Sequence, residues 1–236
     1  MGRKFEVRKQ SMMKSGLEKT KLYSRFGREI YMCAKNGGSN PESNLALKHL
    51  IERAKKEQVP ADIVRRNIEK ADAGTGADYV SVRYEGFGPG GSSFIIDALS
   101  DNVNRTVADV RYCFTKIGAK LGVKGAVEHT YQHLSLVKAR GVGVEEALEA
   151  LIEDDIDVQD IETAEDGIEI TAGGYELDKV ERCLQNIGMD IVSSEQGWYP
   201  QEWIVLSDED YEKYQKFMTL INDVEDVQNV YHNVME

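Results

Sequence analysis

The sequence predicts an α+β protein: a three-helix domain at the N-terminus, then two α+β domains of ferredoxin-like type, the third inserted into the second. Three observations carry this. Apolar residues recur at helical spacing through the first 75 positions, with no strand pattern among them. Beyond them, period-2 runs and amphipathic helices follow in the order ββαβ, then αββαβ, then αβ. The closing helix and strand have no neighbours to bury them, so they complete the sheet begun by residues 79–137. The expected domains are 1–75, 76–139 with 207–236, and 140–206.

Taken in order, Arg3, Lys4, Arg8, Lys9 and Lys14 lie in a stretch with few apolar residues, which reads as a mobile basic arm. A helix follows, with Leu22, Phe26 and Ile30 at i, i+4, i+8, surrounded by Lys19, Lys21, Arg25 and Arg28, and Gly37-Gly38 stops it. Asn40-Pro41-Glu42 offers a capping side chain, a proline for the first helical position and an acid for the first turn. Leu47, Leu50, Ile51 and Ala54 form the inner face of that second helix. Pro60 opens a third, with Ile63, Val64, Ile68 and Ala71 inside and Gly74 past its end.

The second domain begins with a strand in which Val80, Val82 and Tyr84 alternate with Ser81, Arg83 and Glu85. Gly86-Phe87-Gly88-Pro89-Gly90-Gly91 then turns the chain into a buried strand, Phe94 to Leu99. Gly86, Gly88 and Gly91 fit the G-x-G-x-x-G dinucleotide pattern, but that pattern needs a helix N-terminus directly after it to receive a pyrophosphate. Here a strand follows, and Pro89 removes a backbone donor. The loop is therefore a wide glycine turn or a recognition loop that presents Phe87. A helix runs from Asn104 to Ile117, with Gly118 after it, and Gly125 to Val137 reads as the next strand. Within 140–206, a helix carries Val144 to Ile152, Glu165-Asp166-Gly167 marks a hairpin turn, a second helix carries Leu177 to Ile187, and an apolar stretch ends at Val205. Ser207, with Asp210 three residues on, starts the closing helix, and Val227 to Val234 is the closing strand.

The chain of 236 residues has a net charge of −12, unevenly distributed. Residues 1–75 carry +8 and the remainder −20, and such asymmetry directs the basic part toward a polyanion. Residues 140–206 alone carry −15, which serves either solubility and orientation or docking of a basic protein. Cys33, Cys113 and Cys183 show no metal spacing and read as buried thiols. No apolar run approaches the ~20 residues of a membrane helix, and Met1 to Glu6 lacks the apolar core of a signal peptide, so a cytoplasmic protein is expected. His49, His129, His133 and His232 have no ligand pattern: His129 and His133, four apart on one expected strand, would be about 13 Å apart. Asp154-Asp155 with Asp157 lacks the glycine and glutamate of a calcium loop. No nucleophile sits in a recognisable elbow. Neither enzyme chemistry nor a metal or cofactor is expected.

The run Arg83-Tyr84-Glu85-Gly86-Phe87-Gly88-Pro89-Gly90-Gly91, followed by Asp101-Asn102-Val103-Asn104-Arg105-Thr106-Val107-Ala108-Asp109-Val110-Arg111, resembles the signature of the YebC family. Phe26-Gly27-Arg28-Glu29-Ile30, Asn40 to Asn44, Arg53-Ala54-Lys55 and Val227 to Val234 extend the resemblance over most of the chain, nearest to the second bacterial branch. It implies a helical first domain, two α+β domains and a cytoplasmic, non-enzymatic factor. The family carries two labels: a DNA-binding transcriptional regulator, and a translation factor that relieves ribosome stalling at consecutive prolines. By resemblance, nucleic-acid contacts fall on Arg3, Lys4, Lys9, Lys21, Arg25 and Arg28 and on Tyr84, Gly86, Phe87, Gly88, Pro89, Gly90 and Gly91. The neighbouring cations Arg8, Lys14 and Lys19 and the signature residues Asn102, Asn104 and Arg105 complete the expected interface. Phe5 departs from the family, which has tryptophan there. A basic arm with an aromatic tip suits structured RNA better than a DNA regulator, which presents a recognition helix in a dimer. The expected partner is the ribosome through its RNA, with tRNA and DNA as further candidates, and the protein is expected to be a monomer without a membrane partner.

Overall fold

The computed structural model describes residues 16–76 and 78–235; the arm cations Arg3, Lys4, Arg8, Lys9 and Lys14 lie outside the described residues. Three helices come first: α1 (Gly16–Gly37), α2 (Leu45–Lys56) and α3 (Ala61–Asp72). Then follow β1 (Val80–Phe87), β2 (Ser93–Ser100), α4 (Val103–Lys116), β3 (Lys120–Leu121) and β4 (Tyr131–Arg140). The remainder is α5 (Val144–Glu153), β5 (Val158–Ala164), β6 (Gly167–Gly173), α6 (Leu177–Asn186), β7 (Asp190–Pro200), α7 (Asp208–Asp223) and β8 (Val227–His232). The fold is α+β, with two four-stranded sheets ordered β3-β1-β2-β8 and β5-β6-β4-β7. Among the described residues, one compact unit comprises 16–124 with 206–230 and the other 125–205 with 231–235.

In the first unit, the predicted apolar stripes of the helices meet. Phe26, Ile30 and Ala34 of α1 share a core with Leu47, Ala54 and Val64 and with Val59 between α2 and α3. Helix α2 begins four residues later than Pro41 suggested. Asn40 makes a local turn instead, its side chain accepting from the Glu42 amide, and Asn44 is the cap, its Oδ1 accepting from the Leu47 amide at 3.1 Å. Asn44 also donates to the Cys33 and Gly38 carbonyls, so one buried amide fastens α1 to α2. Cys33 is half-buried, and burial pushes the free thiol of Cys113 up to about 11.

The first sheet is covered by α4 and α7. The Phe217 ring lies 4.5 Å from that of Phe94 on β2 and 4.6 Å from that of Phe114 on α4. As expected, the closing helix and strand return to this sheet, where β8 lies beside β2. Two expectations fail. Glu85, on the polar side of the alternation, is only 2 % exposed. The strand expected over Gly125 to Val137 is β4, which begins at Tyr131 after a short 3₁₀ turn at Glu128–Thr130 and belongs to the other sheet. There it pairs antiparallel with β6 and β7, so a boundary at 139/140 would cut that sheet, and in the first sheet the two-residue β3 pairs with β1 instead. Alternation marks a strand but cannot tell which strands it will pair with. His129 falls in the 3₁₀ turn, so it and His133 do not share a strand.

The second unit is an αββα layer built on β4. Val137 and Ala139 enter a core with Ala147 and Leu151 of α5, Ile168 and Ile170 of β6, and Val180 and Leu184 of α6. The order β5-β6-β4-β7 with helices after β4 and β6 is the ferredoxin-like arrangement.

Gly86 is fixed by packing. A β-carbon there would lie 2.5 Å from the fully buried Phe114 ring and 3.0 Å from the Lys120 carbonyl. Because overpacking a tight core costs about 1–3 kcal/mol, Gly86→Ala should lower unfolding free energy by that amount in a urea titration; an unchanged midpoint would show that Phe114 has room to retreat.

Candidate functional site

The hairpin between β1 and β2 carries the exposed aromatic of the predicted interface, and its shape follows from glycine. The last pairs of the ladder are Gly86↔Phe94 and Phe87↔Ser93. The Gly88 amide donates to the Ser92 carbonyl at 2.7 Å, and both the Ser92 amide and hydroxyl donate to the Pro89 carbonyl. Gly90, with φ of 60°, occupies left-handed space that favours glycine. It approaches the start of α7 so closely that a β-carbon would sit 2.7 Å from Leu206. The glycines are followed by a strand, so the helix that a dinucleotide site requires is replaced by β2. On this base Phe87 is 50 % exposed, and Gly90 and Gly91 are exposed beside it.

The other loop residues serve the fold. Tyr84 is buried, and desolvation with the Asp226 charge nearby raises its phenol pKa. Gly86 lies under Phe114, and a β-carbon on Gly88 would strike Phe94 and Ser92. Tyr84 and Gly86 are therefore support for the tip rather than contact surface, which corrects the sequence expectation.

A second correction concerns α1. Lys21, Arg25 and Arg28 stand at i, i+4, i+7, one helical face. That face turns to the connection between α7 and β8. Lys21 pairs with Asp223, Arg25 donates to Asn222 at 3.4 Å, and burial lowers the Arg25 pKa. Arg28 is buried, donates to both the backbone carbonyl and the carboxylate of Glu225, lies 3.5 Å from Asp226, and rests over the Tyr79 ring. Lys21 and Arg28 answer to the protein's own acids and Arg25 to an amide; Lys19 is the exposed one of the four. The pattern continues across the helical domain, where Lys35 pairs with Asp78, Arg53 with Glu29, and Arg65 and Arg66 with Asp62.

Asp226, which sequence reasoning passed over, organises this region. It is 2 % exposed. Its Oδ2 accepts from Thr106 at 2.6 Å, from Arg105 at 2.8 Å and from Ser100 at 3.3 Å. Burial alone would raise its pKa; the Thr106 and Arg105 hydrogen bonds and the charges of Arg105 and Arg28 outweigh that and hold it below the ordinary value. Asn102 caps α4, its side chain accepting from the Arg105 amide, and Arg105 also pairs with Asp101. Asn102 and Arg105 therefore have partners within the chain, although both are exposed, as is Asn104. Only the run of acid and amide residues from Asn222 to Asp226 hinted at such a centre.

The comparisons decide the family. Residues 3–74 match the TACO1/YebC protein N-terminal domain, and residues 79–234 match the TACO1/YebC second and third domain. The chain belongs to the TACO1/YebC family. A probable transcriptional regulatory protein of Vibrio parahaemolyticus is 50 % identical over 235 residues, covering 99 % of each chain. One of Alteromonas mediterranea is 46 % identical, covering 100 % of this chain and 99 % of its own. The crystal structure of a conserved hypothetical protein from Aquifex aeolicus matches at a TM-score of 0.73 and 33 % identity, covering 94 % of this chain and 92 % of that one. Among the described residues of this TACO1/YebC protein, no helix is long and apolar enough to cross a membrane.

Removing one member of a buried ion pair strands its partners, so Asp226→Ala should cost about 3 kcal/mol of stability in chemical denaturation. Because the folded carboxyl binds its proton less readily than an unfolded one, the wild-type contribution should be complete above about pH 4 and disappear as pH falls through the lower folded value. A difference between wild type and variant that does not begin to shrink at any acid pH at which the protein stays folded would remove Asp226 as the charged centre.

Proposed function

We propose that this TACO1/YebC protein is a non-enzymatic gene-expression factor that binds nucleic acid, acting on ribosomal RNA to relieve stalling at consecutive prolines. One observation carries the reading: an aromatic ring, Phe87, stands half exposed on a hairpin tip held by its own hydrogen bonds and by α7. Unpaired bases in RNA are recognised by stacking on such rings, each stack being worth about 1–3 kcal/mol. A rigid tip holds the ring in place before binding, which lowers the ordering cost of recognition. The family's translation label agrees with this geometry. The reading includes a cytoplasmic monomer that needs no metal or cofactor, with tRNA as a further contact.

A second reading, a DNA-binding transcriptional regulator, is favoured by the Vibrio and Alteromonas relatives, which are named probable transcriptional regulatory proteins. Crosslinking in cells followed by sequencing separates the two: recovery of ribosomal RNA supports the first, and promoter fragments without ribosomal RNA support the second.

In a reconstituted translation reaction with a reporter that encodes a proline run, added protein should raise full-length product. Phe87→Ala should remove most of that gain while changing stability by less than about 1 kcal/mol, since the ring is half exposed. Equal product with and without wild-type protein would overturn the translation reading. A large fall in melting temperature for the variant would make Phe87 a packing residue.

A further inference from the structure

Between Asp109 and Glu128 the chain carries Arg111, Lys116, Lys120 and Lys124 and no acid, within a portion whose net charge is −20. Helix α4 buries Thr106, Val110, Cys113 and Phe114 and turns Arg111, Tyr112 and Lys116 outward. The chain reverses after Lys116 and returns as β3, where Lys120 stands opposite Phe87 in the ladder with β1. It then runs along β1, with the Gly122 amide donating to the Glu85 carbonyl, to reach Lys124. A basic strip thus leads from the outer face of α4 to the aromatic tip.

All four cations are exposed, and among the described residues none has a carboxylate within 4.0 Å. The Lys116 ammonium lies 5.0 Å from the centre of the Tyr112 ring, which is 55 % exposed, and Val123 is 79 % exposed. In the helical domain Lys21, Arg28, Lys35, Arg53, Arg65 and Arg66 each have an acid of the same chain, whereas the run from Val110 to Val127 holds no acid at all. A surface made only for solubility mixes the two signs. Unpaired cations beside exposed aromatics fit phosphates and bases together.

Resting on the ribosomal-RNA reading above, we propose that Arg111, Lys116, Lys120 and Lys124 form the phosphate-binding surface of the protein, holding the backbone of an RNA strand whose unpaired base stacks on Phe87. The cations fix register without reading sequence, and the ring supplies the preference for an unstacked base.

The test uses the full-length protein and a labelled RNA hairpin with an unpaired loop, titrated over a series of KCl concentrations. Reversal of all four cations (R111E/K116E/K120E/K124E) should weaken binding at least tenfold and reduce the slope of log affinity against log salt by about 3, as expected for four lost phosphate contacts. The neutral set R111Q/K116Q/K120Q/K124Q should give the same loss of slope with a smaller loss of affinity. Lys120→Glu should weaken binding more than Lys55→Glu, which makes the same change in net charge on the exposed surface of α2. Melting curves of the variants should match wild type. Retention of wild-type affinity and slope by the quadruple variants, or an equal effect of Lys55→Glu and Lys120→Glu, overturns the assignment while leaving RNA binding intact. Failure of wild-type protein to bind the hairpin overturns the functional reading, and the assignment with it.

Discussion

A carboxylate removed from water needs donors and opposite charge around it, and at Asp226 the larger unit supplies three hydrogen bonds to Oδ2 and the Arg28 charge 3.5 Å from Oδ1. Its neighbours come from three places in the chain: Arg28 in α1, Ser100 at the end of β2, and Arg105 and Thr106 in the first turn of α4, all converging on the turn before β8. Each contact is local in chemistry and distant in sequence; Arg28 and the neighbouring Glu225 are 197 residues apart. A buried carboxylate with fewer partners would take up a proton or stay open to water. The arrangement fixes α1, the sheet and the α7–β8 connection against one another.

This constraint explains why the charge pattern was misleading in detail. The excess of positive charge before residue 76 is real, and its sign suggests a polyanionic ligand. Yet Lys21, Arg25 and Arg28 face acids and an amide of the same unit. Which cations remain open can be decided only once the tertiary partners are known. The complementary signal, an acid-free run from Val110 to Val127, was present in the sequence and was hidden by the strongly acidic average around it.

Local physics made much of the fold legible. The helix stripes, the Ser207 cap, the α4 helix with Gly118 after it and the Glu165-Asp166 turn all appear where side-chain spacing and backbone preference place them. The failures share one cause. Asn40 and Asn44 are both able to cap, and only packing of Asn44 against α1 chooses between them. The strand β4 has the right alternation for either sheet, and the core formed by Val137 and Ala139 assigns it to the second. Glu85 alternates as a polar residue and is nevertheless buried. At the candidate site, the exposed ring of Phe87 was legible from its glycine frame, whereas the internal duties of Arg28, Asn102 and Arg105 were not.

The return of the chain at Leu206 has a bearing on biogenesis. Synthesis proceeds from the N-terminus, but the Phe94 and Phe114 rings find Phe217 only after α7 has been made, and Arg28 and Arg105 wait longer still for Asp226. The earlier segments thus leave the peptidyl channel with their aromatic and ionic partners unborn. A nascent chain halted before α7 would carry the glycine hairpin without the support of Leu206 and Phe217, so the tip is complete only once α7 has been made.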